Sequence, residues 1–126
     1  MRAIFDNHIL NHMVQYSKKL DSAFAAMSDP TRRGILERLG RADASGFSIS
    51  ELAADFDMTL TGLKKHVQVL EDAGLVETKK MGRVRTCRLG TRKLDAEAAW
   101  INEYRRMMNE RFDRLEAFLE QSQEQE

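Results

Sequence analysis

Between Ser50 and Val76 the chain reads SELAADFDMTLTGLKKHVQVLEDAGLV, and no other stretch restricts its fold as strongly. Leu52, Ala53 and Phe56 share one face of a short helix. Two capping signals compete at its start, Ser50 itself or Ser48 with Glu51 as a capping box, and Phe47 and Ile49 read as a short extended piece before it. Asp57-Met58 makes a tight turn. Thr59 or Thr61 then caps a second helix, with Leu63, Val67 and Leu70 on one face, Ala73 near it, and Thr61, Lys64, Lys65 and Gln68 outward. Gly74 stands where a left-handed cap is wanted, so that Leu75 can fold back on the apolar face. Helix, turn, capped helix and glycine stop predict a helix-turn-helix.

The flanks extend this unit. VETKKMGRVRTCRL alternates around Met81-Gly82-Arg83, the pattern of a hairpin with a glycine turn. Upstream, Ser28-Asp29-Pro30 opens a helix with Ile35, Leu36 and Leu39 inward and Gly40 as its stop, and Gly34 inside it marks close packing. Leu20, Phe24 and Met27 belong to a preceding helix, and Ile4, Phe5, Ile9, Leu10, Met13 and Val14 to a first one. After the hairpin, Asp95 is expected to cap a long helix reaching about Gln121. Along it Trp100, Ile101, Tyr104, Met107, Met108, Phe112, Leu115, Phe118 and Leu119 make one apolar seam.

The expected fold is mainly α with a small β-hairpin wing, a winged helix-turn-helix that dimerises through its terminal helices. Its segments are an N-terminal dimerisation helix over 1–19, a DNA-binding core over 20–93 and a C-terminal dimerisation helix over 94–126. At 126 residues the chain suffices for one core. It has no apolar run of the roughly 20 residues a membrane span needs. Its start is broken by Asp6, Asn7, His8, Asn11 and His12, which does not match a secretory leader. With a single cysteine besides, a cytoplasmic protein without membrane partners is expected.

Zero net charge argues against a polyanionic partner until the distribution is considered. From Thr59 to Lys93, nine bases (Lys64, Lys65, Lys79, Lys80, Arg83, Arg85, Arg88, Arg92 and Lys93) face three acids, Glu71, Asp72 and Glu77. Beyond Glu110 acids dominate. Local field steers a polyanion, not the total charge. A helix enters the major groove if its outward side is free of bulk and its flanks reach phosphates. The second helix offers Thr61 and Gly62 for close backbone approach, Lys64 and Lys65 for phosphate or guanine, and an amino end with free N–H groups. Lys79, Lys80, Arg83 and Arg85 are expected on the same side, as a wing. The bland alternative is a solvated basic face.

The residues also carry a resemblance. Phe24-Ala-Ala-Met-Ser-Asp-Pro-Thr-Arg-Arg-Gly-Ile-Leu-Glu-Arg-Leu, Ser50-Glu-Leu-Ala and Leu63-Lys-Lys-His-Val-Gln-Val-Leu-Glu-Asp-Ala-Gly-Leu-Val resemble the ArsR-type winged-helix repressors over roughly residues 20–92. The resemblance implies a homodimer on an inverted-repeat operator of double-stranded DNA. It places Thr59 to His66 and Gln68 among the DNA-reading residues, with Arg83 near the wing tip. It departs from the family where metals bind: SELAADFDM has no cysteine pair, and the last helix has Asp95 but no His. Three His and one Cys make a poor tetrahedral set, so a member without metal or cofactor is expected.

Other candidates have plainer readings. His8 and His12 at i, i+4 are a possible chelate or two surface histidines. Cys87 is a small packing residue, or a thiol activated by Arg85 and Arg88. His66 is a phosphate contact, which the resemblance favours, or a packed ring. The terminal helices offer more apolar surface than one domain covers, so Ile9, Met13, Trp100, Tyr104, Met108, Phe112, Leu115 and Leu119 are expected at a two-fold interface. An apolar effector pocket at that interface, lined by Met13, Met107, Met108 and the aromatic residues, is the alternative, and the sequence identifies no effector. No nucleophile–base pair, phosphate-binding glycine loop or carboxylate cluster points to an enzyme. The rivals are a metal- or thiol-responsive repressor of the same fold and a protein-interaction module that does not read DNA.

Overall fold

The computed structural model describes residues 18–124; Ile9, Met13, His8 and His12 lie outside them. Helix α1 covers 18–27, followed by α2 (Pro30–Gly40), β1 (Phe47–Ser48), α3 (Ile49–Asp55), α4 (Leu60–Asp72), β2 (Val76–Met81), β3 (Val84–Leu89) and α5 (Asp95–Glu124). The chain divides into two units, one ending at Lys93 and one beginning at Leu94.

In the first unit, local signals set most boundaries. Asp29 caps α2 by accepting the Arg32 N–H at 3.1 Å, with Pro30 at the first helical position, where a missing N–H costs nothing. α2 runs through Gly40 and its cap falls on Arg41 in a right-handed conformation, so Gly40 is not the expected left-handed stop. A Cβ on Gly34 would lie 2.8 Å from the Phe56 ring, which accounts for glycine inside a helix.

The competition at α3 is settled by hydrogen bonding. Ser48 caps the helix, its hydroxyl accepting the Glu51 N–H at 3.0 Å, so Ser50 and Ile49 belong to the first turn and Ile49 is buried. Phe47 and Ser48 are extended, and they pair with Cys87 and Thr86. The expected hairpin is therefore a three-stranded antiparallel sheet in the order β1-β3-β2. Two residues are too short a strand to announce themselves by alternation; β1 exists because β3 offers a free edge.

Asp57 turns the chain between α3 and α4 with φ of 51°, and Thr59 caps α4 by accepting the Gly62 N–H at 3.1 Å. Gly74 has φ of 77°, and the Leu75 N–H reaches the Leu70 carbonyl at 2.9 Å, returning Leu75 to the core. The hairpin closes in two residues, Gly82 and Arg83, between the pair Met81 and Val84. Gly82, with φ of 63°, supplies the positive angle that the first turn position requires. Ile35, Leu52, Leu63, Leu70, Val76 and Cys87 fill the centre, fully buried.

The second unit is a 30-residue helix. The Ala98 N–H bonds back to Leu94, so Asp95 is a first-turn acid and not the cap, and the helix continues past the expected end at Gln121. Trp100 and Tyr104 stack with centroids 5.7 Å apart, and Arg106 bridges Glu103 and Glu110 on the helix surface. Among its side chains only Glu97 is buried.

Candidate nucleic-acid interface

The first turns of α4 present Thr59, Thr61, Lys64, Lys65 and Gln68 to solvent. The caps fix this: with Leu63, Val67 and Leu70 inward, positions 61, 64, 65 and 68 must face out. Gly62 is half-buried, and a Cβ there would meet the Thr59 hydroxyl at 3.1 Å. Its small size thus serves the helix cap as well as any close approach from outside.

Between the start of α4 and the wing lies a cleft of about 390 Å³. Lys64 enters it from α4, Lys80, Arg83 and Arg85 from the hairpin, with Ser48, Ile49, Ser50, Leu60 and Val84 completing the lining. Four cations from separate elements thus converge on one concave surface, an arrangement suited to phosphate. Lys79 does not join them. Because Lys79 pairs with Thr86 and Lys80 with Arg85, neighbouring strand positions point to opposite faces. Lys79 instead lines a second cleft with Ser45, Met81, Thr86 and Arg88, so the expectation that all four wing bases share a side fails for this residue.

His66 is half-buried and turned toward the α1–α2 joint. Its Nδ1 lies 3.3 Å from Arg32 Nη1 and 3.9 Å from Asp29 Oδ2. Arg32 also donates to the Ala26 and Ala25 carbonyls at 2.7 and 3.1 Å, so this group knits α1, α2 and α4. The Arg32 N–H, followed by the charges of His66 and Arg32, holds the Asp29 carboxyl below its ordinary range. The packed-ring reading of His66 matches these contacts. Further along α4, the Gln68 amide donates to Asp72 Oδ1 at 2.8 Å.

Cys87 is fully buried at the pairing of β3 with β1 and β2. Burial, with the nearby Glu71 charge, pushes its thiol up to about 11. The packing reading of Cys87 agrees with this burial, whereas the alternative of a thiol activated by Arg85 and Arg88 fails on it, and both arginines have partners of their own. Arg88 pairs with Glu77 at 3.2 Å, and Arg85 donates to the Thr78 hydroxyl at 3.1 Å. The neutral thiol is the form that suits the core. Its contribution to stability is complete below the ordinary thiol value of 9.0 and is lost as pH rises toward about 11. Among the described residues no three His, Cys, Asp or Glu side chains gather as metal ligands, and no helix is long and apolar enough to cross a membrane.

Sequence reasoning missed Ser48, Ser50, Leu60 and Val84 in the first cleft, and Glu71 and Thr78 in the one beside it. Strict period-two alternation would have sorted Thr78, Lys80 and Arg85 onto one face. The contribution of β1 and α3 carries no comparable signal.

A helix-turn-helix domain model matches residues 27–79, the span from the end of α1 into β2. The chain is 39% identical over 69 residues to an uncharacterized HTH-type transcriptional regulator, YuzN of Bacillus subtilis, covering 52% of this chain and 75% of that protein. It is 28% identical over 82 residues to the transcriptional repressor SdpR of the same organism, covering 65% of this chain and 88% of that one. A crystal structure of an ArsR family transcriptional regulator superimposes with a TM-score of 0.66 at 41% identity, covering 75% of this chain and 94% of that one.

Proposed function

The chain belongs to the ArsR family of winged helix-turn-helix transcriptional regulators, and on that premise we propose that it is a homodimeric repressor reading an inverted-repeat operator. The observation that carries the reading is the joint cationic cleft, to which α4 contributes Lys64 and the wing Lys80, Arg83 and Arg85. The amino end of α4 enters the major groove with Thr59, Thr61 and Gly62 closest to the DNA. Lys64, Lys65 and Gln68 reach base edges or phosphates. Arg83 and the Lys80–Arg85 pair hold the flanking backbone or minor groove. Lys79 faces away from that grip, and His66 supports α4 from behind.

A palindromic site needs two such helices about one DNA turn apart. The stripe of α5, exposed except at the half-buried Met108, supports a second copy as their source, with Trp100, Tyr104, Met108, Phe112, Leu115 and Leu119 at the two-fold axis. Segments 20–93 and 94–126 then divide the work between reading and pairing. The protein acts in the cytoplasm, represses by occupying its operator and catalyses nothing. Release through Cys87 is not part of the proposal, because its thiol is buried and held protonated.

Replacing Lys64 and Lys65 together by Ala should weaken operator binding by at least about tenfold and lower the slope of log affinity against log salt by about two. A titration at four or more salt concentrations reads both. Unchanged affinity throughout would remove α4 as the reading helix.

A further inference from the structure

Glu71 puts a carboxylate beside the surface on which a polyanion is to lie. It lines a cleft of about 230 Å³ with Lys64, Gln68, Thr78 and Arg85. By charge alone it opposes DNA there. Its hydrogen bonds give it another role. Oε2 accepts the Thr78 N–H at 2.9 Å and the Thr78 hydroxyl at 2.5 Å. Arg85 Nη1 donates to the same hydroxyl oxygen at 3.1 Å. One carboxylate on α4 thereby ties β2, and through Thr78 a cation of β3.

The position of this tie gives it leverage. Thr78 pairs with the fully buried Cys87, so it stands where the hairpin leaves the core. Beyond it, residues 79–85 are all exposed, and nothing lies within 4 Å of a Cβ built on Gly82. A hairpin whose outer residues are exposed takes its direction from its base. We propose that Glu71 is a positioning residue that fixes the wing against α4, so that Lys80 and Arg85 meet DNA at a set distance from Lys64. The inference rests on the DNA-reading surface proposed above.

Two explanations of Glu71 give opposite signs. If it only tempers local charge, removing it tightens DNA binding. If it ties the wing, removing it loosens binding. The experiment uses the full chain with Glu71→Ala, Glu71→Gln, Thr78→Val and Thr78→Ser. One arm measures operator binding over a salt series. The other, without DNA, measures the spread of distances between spin labels on Val69→Cys in α4 and Met81→Cys near the wing tip.

Glu71→Ala and Thr78→Val should broaden the distance distribution and weaken binding about tenfold, with a salt slope lower by about one from lost wing phosphates. Glu71→Gln, which keeps an acceptor without the charge, and Thr78→Ser should keep the distribution narrow and the affinity at least that of the parent. Tighter binding by Glu71→Ala, or a distribution as narrow as the parent's, would overturn the proposal. If Glu71→Ala does not fold, the contrast between Thr78→Val and Thr78→Ser decides. A parent protein with no salt-dependent DNA binding, in which the distances still broaden as stated, would refute the DNA reading and leave the tie standing.

Discussion

Helices α4 and α5 are both amphipathic, and they have opposite fates. In α4, Leu63, Val67 and Leu70 retain at most 4% of their surface. In α5, Trp100, Tyr104, Phe112 and Leu115 remain 48–59% exposed. The same 3.6-residue period underlies both patterns. It fixes which side chains share a face and says nothing of what covers them. α4 has cover nearby in sequence: α3 precedes it across the Asp57 turn, and β2 follows directly after Gly74. α5 buries none of its own apolar side chains, and this exposed stripe is what supports the proposed pairing with a second copy.

The largest test of that contrast is at α5. Replacing Phe112 and Leu115 by Asp should raise the dimer dissociation constant by more than about a hundredfold, since each buried carboxylate would have to be desolvated. Light scattering over a dilution series reads the change. Persistence of the dimer would place the interface elsewhere and leave the stripe unexplained.

A second test sharpens the buried side of the comparison. Leu63→Ala should cost about 2–5 kcal/mol in denaturant unfolding, because the surrounding core cannot close the cavity. Leu115→Ala, measured at the same protein concentration, should cost less and should depend on that concentration where Leu63→Ala does not. Equal, concentration-independent losses would mean that the two stripes are covered alike. The smallest effect concerns a helix end. Thr59→Ala removes the hydroxyl that accepts the Gly62 N–H and should cost about 1 kcal/mol by thermal unfolding. No measurable loss would show that packing alone sets where α4 begins.

The reading unit was largely legible because its signals are local. Thr59, Gly74 and Gly82 each act within a few residues, through a side-chain cap or a positive φ; the two glycines stand where the sequence placed them, and the cap is the first of the two threonines it offered. Failures came where distant residues decide. Ser48 and Ser50 are equally good caps by type, and Ser48 prevails while its own residue also pairs with Thr86, far along the chain. Lys79 and Lys80 look alike in a run of bases; strand alternation parts them, and only the register of β2 on β3 brings Arg85 opposite Lys80. Glu71 reads as one more surface acid until Thr78 comes within reach of it.

The sequence by itself determined the helix-turn-helix, the glycine-closed hairpin, the basic character of the middle of the chain and the apolar face of α5. Caps, turns and periodicity depend on side chains a few positions apart, so they can be read from one dimension. The tertiary structure alone decided the pairing of the third strand, the cleft that Lys64 shares with the wing, the contact of His66 with Arg32, the burial of Cys87, and the tie from Glu71 to the wing. Each of these depends on which distant segment pairs with which, where one step of register reverses a side chain's face and burial changes a group's chemistry.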